Sequence, residues 1–282
     1  MKNELVAKLS EYYSKYLQGK ELATRLCLIS ILSRGHVLVE DVPGLGKTTL
    51  ALAIAKSMGL SFGRVQCTND LLPSDITGVS VFNKESSRFE FQKGPIFNNI
   101  VLVDEINRAT PKTQSALLEA MGEKQVTVEG VTYPLPKPFF VIATQNPSEQ
   151  YGTFPLPESQ LDRFLMKISI GYPTMEEEFK ILKGGSSRRD ILDSESVIDT
   201  GEFFMVQEKV KEVHISDKIL RYVLEIATAT RNNDAIYGGL STRAILSVVA
   251  SAKVSAFLDG RDYVVPEDIT DIAKFTMPHR II

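Results

Sequence analysis

Cysteine and histidine are both scarce in this chain. Cys27 and Cys67 are the only thiols, far apart and without CxxC spacing. They read as small buried hydrophobes of a reducing, cytoplasmic compartment, with a disulfide or a catalytic thiol as the alternative. The three histidines, His36, His214 and His279, are scattered and lack metal-ligand spacing, which argues against a zinc site. No stretch approaches the ~18 unbroken apolar residues of a membrane helix. The first twenty residues, MKNELVAKLSEYYSKYLQGK, are charged and lack a signal-peptide core, so no membrane insertion is expected. Neither sign of charge dominates: 32 Lys and Arg against 35 Asp and Glu leave a formal net charge of -3. A chain with this balance has no global footprint for nucleic acid, although a local basic channel in an oligomer stays open.

What is present divides into two parts. Up to about Gly171, β-branched runs alternate with helical segments, the pattern of a parallel α/β sheet. His36–Val39, Arg64–Cys67, Ile100–Val103, Phe139–Ala143 and Phe164–Ile170 are the expected core strands, each apolar enough to be buried on both faces. From residue 172 to 282 the pattern turns helical. Thr174 and Glu177 form a capping box, and helices are expected over Glu202–Val213, Asp217–Arg231, Thr242–Leu258 and Pro266–Thr276. Ser216 and Ser241 suit N-caps, and Pro266 a first turn. Lys183–Thr200, with its Gly-Gly-Ser-Ser-Arg-Arg run, reads as a flexible or exposed connection.

The chemistry concentrates after two of the strands. Val37-Leu38-Val39 runs into Glu40-Asp41-Val42-Pro43-Gly44-Leu45-Gly46-Lys47-Thr48-Thr49, with a helix expected over Thr49–Met58. Gly44 and Gly46 let backbone N–H groups turn onto a polyphosphate without a Cβ in the way, and the helix end adds its positive dipole. Lys47 supplies charge to the β- and γ-phosphates, and Thr48 a hydroxyl to Mg²⁺. The general phosphate-loop pattern wants Gly where this chain has Asp41. The second strand, Ile100–Val103, ends in Asp104-Glu105. Ligands bind at the carboxyl ends of parallel strands, so Asp104 is expected to hold Mg²⁺ and Glu105 to polarise the attacking water. A paired acid after a strand can also be a helix N-cap, and the loop upstream favours the metal-and-base reading. ATP is expected rather than GTP, because no Asn-Lys-x-Asp element occurs: Asn83-Lys84 is followed by Glu85-Ser86.

These residues, together with Asp70–Gly78, Gly94–Phe97, Asp104–Ala109, Ala143–Pro147, Leu156–Phe164, Gly239–Ala244, Pro266–Ile269 and Pro278–Arg280, resemble the MoxR family of AAA+ ATPases over nearly the whole chain. The resemblance implies an AAA+ P-loop core (1–171), a central parallel sheet flanked by helices, followed by a small all-helical lid (172–282). It implies that Asp41 is tolerated in the loop. It implies that Asn146 is a first sensor reading the γ-phosphate, where a turn Asn before Pro147 is the alternative. Arg163 matches an arginine finger that reaches a neighbouring subunit's site, where a surface salt bridge to Asp162 or Glu158 is the alternative. Arg243 matches a second sensor, in cis or in trans. Gly19-Lys20 stands where the family more often has Gly-Gln, on the adenine side. A finger acting in trans requires a head-to-tail ring, and the implied assembly is a hexamer. The family's relatives resemble chaperone-type ATPases that assemble or activate protein complexes, often beside partners with von Willebrand factor A domains.

Two insertions stand out. Val79–Phe91 reads as two short strands around a polar turn and resembles the helix-2 insert of this AAA+ branch. Gln125–Leu135 alternates as a hairpin with Glu129-Gly130 at its turn. Such hairpins often face the pore of a ring and touch substrate, and ordinary surface hairpins are the alternative. Two other functions compete with remodelling of a protein client. A DNA motor would carry Lys or Arg at its hairpin tips, whereas here Glu129 occupies one tip and Lys84 and Arg88 mix with Glu85 and Glu90 in the other. A nucleotide-gated scaffold would not need Glu105, Asn146 and Arg163 together.

Overall fold

The computed structural model describes residues 2–148, 152–185 and 188–282. Helices α1 (Lys2–Tyr16) and α2 (Glu21–Leu32) precede β1 (Val37–Glu40), which leads through the glycine loop into α3 (Lys47–Ser57). β2 (Phe62–Gln66) and the short α4 (Pro73–Thr77) follow, then β3 (Gly78–Asn83) and β4 (Arg88–Lys93). Next come β5 (Ile100–Asp104), α5 (Pro111–Glu123), β6 (Gln125–Val128), β7 (Val131–Pro134), β8 (Phe140–Gln145), α6 (Glu158–Leu161) and β9 (Met166–Ile168).

Strands β2, β5, β8, β1 and β9 form one parallel sheet in that spatial order. Alternation along each strand divides its side chains between two apolar layers. Val37, Val39, Ile100, Leu102, Phe140 and Ile142 face α1–α3. Leu38, Val101, Val103, Val141 and Ala143 face α5 and the β6–β7 hairpin. Both faces are covered, which is why the strands read as unbroken apolar runs rather than alternating ones. A Phe140→Ala cavity in this core would cost ~3–5 kcal/mol. Cys27 and Cys67 are buried and unpaired, and burial pushes both thiols up to about 12. His36 enters β1 as a buried neutral ring, its Nδ1 accepting from the Val141 amide at 3.0 Å and its Nε2 lying 3.3 Å from the Met121 carbonyl.

The last strand is shorter than the apolar run Phe164–Ile170. Leu165 N–H donates to the His36 carbonyl before pairing begins, and past Ile168 the chain is captured by Asp41, which accepts from Ser169 Oγ at 2.7 Å and from the Ile170 amide. The helix after the glycine loop begins at Lys47, two residues before its expected start, because Gly46 at φ 76 already turns the chain into it.

Beyond β9 the described residues are helical apart from a single bridge between His214 and Tyr263. The helices are α7 (Met175–Gly184), α8 (Arg188–Asp193), α9 (Thr200–Lys211), α10 (Asp217–Arg231), α11 (Thr242–Leu258) and α12 (Pro266–Thr276). Thr174 and Glu177 close the capping box on α7, and Ser216 and Ser241 cap α10 and α11. The segment Lys183–Thr200 departs from an exposed connection. Its Ser186 and Ser187 lie outside the described residues, but α8 packs on α3 with Ile191 fully buried. Ile198 is buried as well, and its amide and that of Val197 donate to the Ser57 carbonyl. Ser57 and Ser194 in turn meet Tyr13 and Tyr12 of α1 at 2.6 and 2.8 Å. Two isoleucines in a polar stretch are enough to fold it down once α3 offers a surface. No helix among the described residues is long and apolar enough to cross a membrane.

Candidate functional site

Parallel strands place their carboxyl ends on one edge, and β8 brings the ends of β1 and β5 to either side of itself. The glycine loop leaves β1 there. Gly44 and Gly46 both have positive φ, 90° and 76°, a region in which a Cβ is strained. A side chain at 44 would meet open space, so the loop's surface is bare backbone. The first amides of α3, those of Lys47, Thr48 and Thr49, have no intrahelical acceptor and form an anion-binding end.

Lys47 Nζ donates to the Asp41 carbonyl at 2.6 Å. Burial lowers its pKa, and the carboxylates of Asp41, Asp104 and Glu105 oppose that shift. The Asp41 side chain points away from the loop's open face and pins the loop to Ser169 and Ile170. The departure from glycine at this position thus has a structural use: a carboxylate that anchors the loop to the strand leading into the lid. Between Asp41 and Gly46, Val42 is half-buried, Pro43 exposed and Leu45 buried.

Asp104 ends β5 with its carboxylate buried. Oδ2 accepts from Arg64 Nε at 2.7 Å, and Oδ1 lies 3.4 Å from Thr144 Oγ1. Glu105 follows in the left-handed region, φ 57 and ψ 50, costly for a residue with a Cβ and concentrated at working sites. Its Oε2 accepts from Gln66 Nε2 at 2.9 Å and from Arg108 Nη1 at 3.1 Å, while its amide donates to Thr144 Oγ1. Sequence reasoning assigned no site role to Arg64 or Gln66, nor to Arg108 and Thr144 within the motifs Asp104–Ala109 and Ala143–Pro147. Arg64 and Gln66 carried one usable signal: two polar residues at alternate positions of an otherwise buried strand, on one face, beside the acids. A Thr48 hydroxyl and the Asp104 carboxylate are the hard-oxygen donors Mg²⁺ takes, and the residues present fit that ion.

Asn146, just past β8, is buried. Its Oδ1 accepts from the Ser148 amide at 3.2 Å and hydroxyl at 2.7 Å, leaving its Nδ2 as the group that can donate outward. Arg163 lies on a different edge, exposed in the turn between α6 and β9. Its Nη1 donates to the Leu118 carbonyl at 2.9 Å, and among the described residues it forms no ion pair with Asp162 or Glu158. Asp162 is taken instead by the lid: Arg243 Nη1 approaches at 3.6 Å and the buried Arg280 Nε at 3.0 Å. His279 Nε2 lies 3.0 Å from the Phe164 carbonyl, so the Pro278–Arg280 turn grips both sides of Arg163.

A cavity of about 1200 Å³ opens between the glycine loop, the α1–α2 turn at Gln18 and Lys20, and helices α7 and α8. Gly19, at φ 70, lies under the Glu177 carboxylate. The hairpins lie away from this cavity. β3–β4 exposes an edge-on Phe82–Phe89 pair, with Phe89 71% exposed, and its Phe91 stacks on Tyr133 of β6–β7 with centroids 4.2 Å apart. Glu129 and Gly130 turn β6 into β7, both at positive φ.

The sequence matches the ATPase family associated with various cellular activities (AAA) over residues 36–166 and an AAA lid domain over residues 228–282. It is 49% identical to the uncharacterized protein YeaC of Bacillus subtilis, over 99% of this chain and 87% of that one. It is 39% identical to the chaperone MoxR1 of Mycobacterium tuberculosis, over 95% and 73%, and 32% identical to the protein MoxR of Paracoccus denitrificans, over 93% and 84%. A crystal structure from Cytophaga hutchinsonii, solved as that of a candidate ATPase, superposes with a TM-score of 0.92 at 41% identity, over all of this chain and 88% of that one.

Proposed function

The chain belongs to the MoxR family of AAA+ ATPases, and from that premise we propose that it binds and hydrolyses Mg-ATP as a head-to-tail hexameric ring to remodel, assemble or activate a protein client.

 Each subunit would contribute residues from the core, 1–171, and from the lid, 172–282, with the nucleotide between them. The observation that carries this reading is the convergence of Lys47, Asp104 and Glu105 at the ends of the two strands that flank β8, beside an open glycine loop.

In this reading the loop backbone from Asp41 to Thr49 cradles the phosphates, and Lys47 neutralises the β- and γ-phosphates. Thr48 and Asp104 would hold Mg²⁺, which would offset charge on the phosphate oxygens. Glu105 orients and polarises the attacking water once it exchanges its Gln66 and Arg108 partners for that water. Asn146 donates its remaining amide to the γ-phosphate or the water. Arg163 is offered to the site of the next subunit, where it stabilises charge that develops in the transition state. Arg243 senses the nucleotide from the lid and reports to Arg163 through their shared neighbour Asp162. Hydrolysis then changes the angle between core and lid.

A protein client is favoured over DNA by the chemistry of the hairpins. The exposed Phe82–Phe89 pair suits an apolar surface, and Glu129 at the other tip repels phosphate. A partner with a von Willebrand factor A domain is one form such a client system could take. The test is Glu105→Gln. It should bind Mg-ATP as the wild type does in calorimetry while turnover drops ~100-fold, the usual worth of a positioned base. Near-normal hydrolysis would remove Glu105 from the chemistry.

A further inference from the structure

Lys20 stands at the start of α2, on the turn that closes the cavity opposite the lid. Gly19 before it is held under the Glu177 carboxylate, whose oxygen lies 2.5 Å from where a Cβ on Gly19 would sit. The Lys20 side chain runs to the glycine loop rather than along the turn itself. The Lys20 ammonium lies against the position a Cβ on Gly46 would occupy, and the Thr49 hydroxyl is 4.0 Å from the same point. Gly46 itself is required by its positive φ of 76°.

The ammonium has no counter-charge there. Among the described residues the Lys20 ammonium has no hydrogen bond or ion pair, and burial lowers its pKa, with no carboxylate opposing the shift. Lys47 differs in both respects. A second cation beside the positive end of α3 is unfavourable in isolation and becomes favourable when an anion of more than one charge enters. The two lysines approach the loop from different sides. Lys47 stands with Asp104 and Glu105, whereas Lys20 comes from the α1–α2 turn toward Gly46 and Thr49.

We propose that Lys20 is a second phosphate-binding cation of this site, pairing with the phosphate nearest the ribose while Lys47 serves the distal ones. This rests on the ATP reading above and gives Lys20 a phosphate-side role in place of the adenine-side one expected from its neighbourhood. Affinity for every phosphorylated adenosine then depends on Lys20, including those too short to reach Lys47.

The experiment is displacement of fluorescent mant-ADP from the full chain by adenosine, AMP, ADP and ATP, comparing wild type, Lys20→Gln, Lys20→Arg and Lys47→Ala. Lys20→Gln should weaken AMP, ADP and ATP each by about tenfold, the worth of one charge-assisted hydrogen bond, and leave adenosine unchanged. Lys20→Arg should recover most of the loss, because charge and reach are kept. Lys47→Ala should weaken ADP and ATP more than AMP. Unchanged affinities in Lys20→Gln would overturn the proposal. So would tighter binding, which would make the ammonium a mere occupant of the empty loop, or an equal loss for adenosine, which would make the role structural. If Lys47→Ala binds ATP as well as the wild type, the phosphate-loop reading itself fails, a result separable from a null effect at Lys20 alone.

Discussion

The loop side and the finger side of the proposed site are built differently. On the loop side the functional atoms are tied down within the chain: Lys47 to the Asp41 carbonyl, Asp104 to Arg64, Glu105 to Gln66 and Arg108. On the other edge Arg163 is exposed and held by one carbonyl, and Arg243, 65% exposed, meets Asp162 only at 3.6 Å. Preorganised dipoles and charges are what lower a barrier, and a solvated arginine is not preorganised. In the proposed ring, one chain would carry a finished half of a site and offer a second half that a neighbouring surface orders.

The largest expected effect tests the unfinished half. Arg163→Ala should bind ATP normally and lose turnover by ~10³, the low end for an arginine finger. A loss of binding instead would tie Arg163 to its own loop and erase the contrast. On the finished half, Lys47→Ala should weaken Mg-ATP at least ~10-fold in a calorimetric titration, since a charged hydrogen bond of roughly 1.5–3 kcal/mol is lost.

Acid should loosen both halves together. His36 enters the strand before the loop, and His279 grips the Phe164 carbonyl beside Arg163. Burial holds both imidazoles neutral, with pKa values pushed down to about 4. The unfolded chain takes up those protons near pH 6.5, so stability is complete above that pH and declines as pH falls toward 4. Each ring accounts for up to ~3 kcal/mol by pH 4. Urea unfolding at pH 7, 5.5 and 4.5 checks this, and His279→Gln should flatten part of the slope. A slope that does not change between pH 7 and 4.5 would mean that neither ring is held neutral by the fold. The smallest expected effect is none at all: single- or double-stranded DNA at ~100 mM salt, where weak surface attraction is largely screened, should leave the ATPase rate unchanged. Saturable stimulation that is lost on adding salt would favour a DNA motor.

The sequence exposed the finished half far better than the unfinished one, for a physical reason. A loop such as Pro43–Thr48 and a strand ending in Asp104-Glu105 state their chemistry locally, and caps such as Thr174 with Glu177 span only one helical turn. Arg64 and Gln66 reach the acids only because β2 pairs with β5 in a particular register, which no local pattern announces. Lys20 meets Gly46 only because the α1–α2 turn packs beside the glycine loop. The burial of Ile191 and Ile198 depends on α3. Residues that act through sequence-distant contacts were the ones left unread.

The most direct test of the two-half account mixes Arg163→Ala subunits with Glu105→Gln subunits. Each variant alone should be nearly inactive. In a mixed ring, one class of interface joins an intact Glu105 to an intact Arg163, so ATPase activity should reappear and peak near equal proportions. No recovery, with mixed assemblies verified by native mass spectrometry, would contradict the claim that the second half of the site comes from the neighbouring chain.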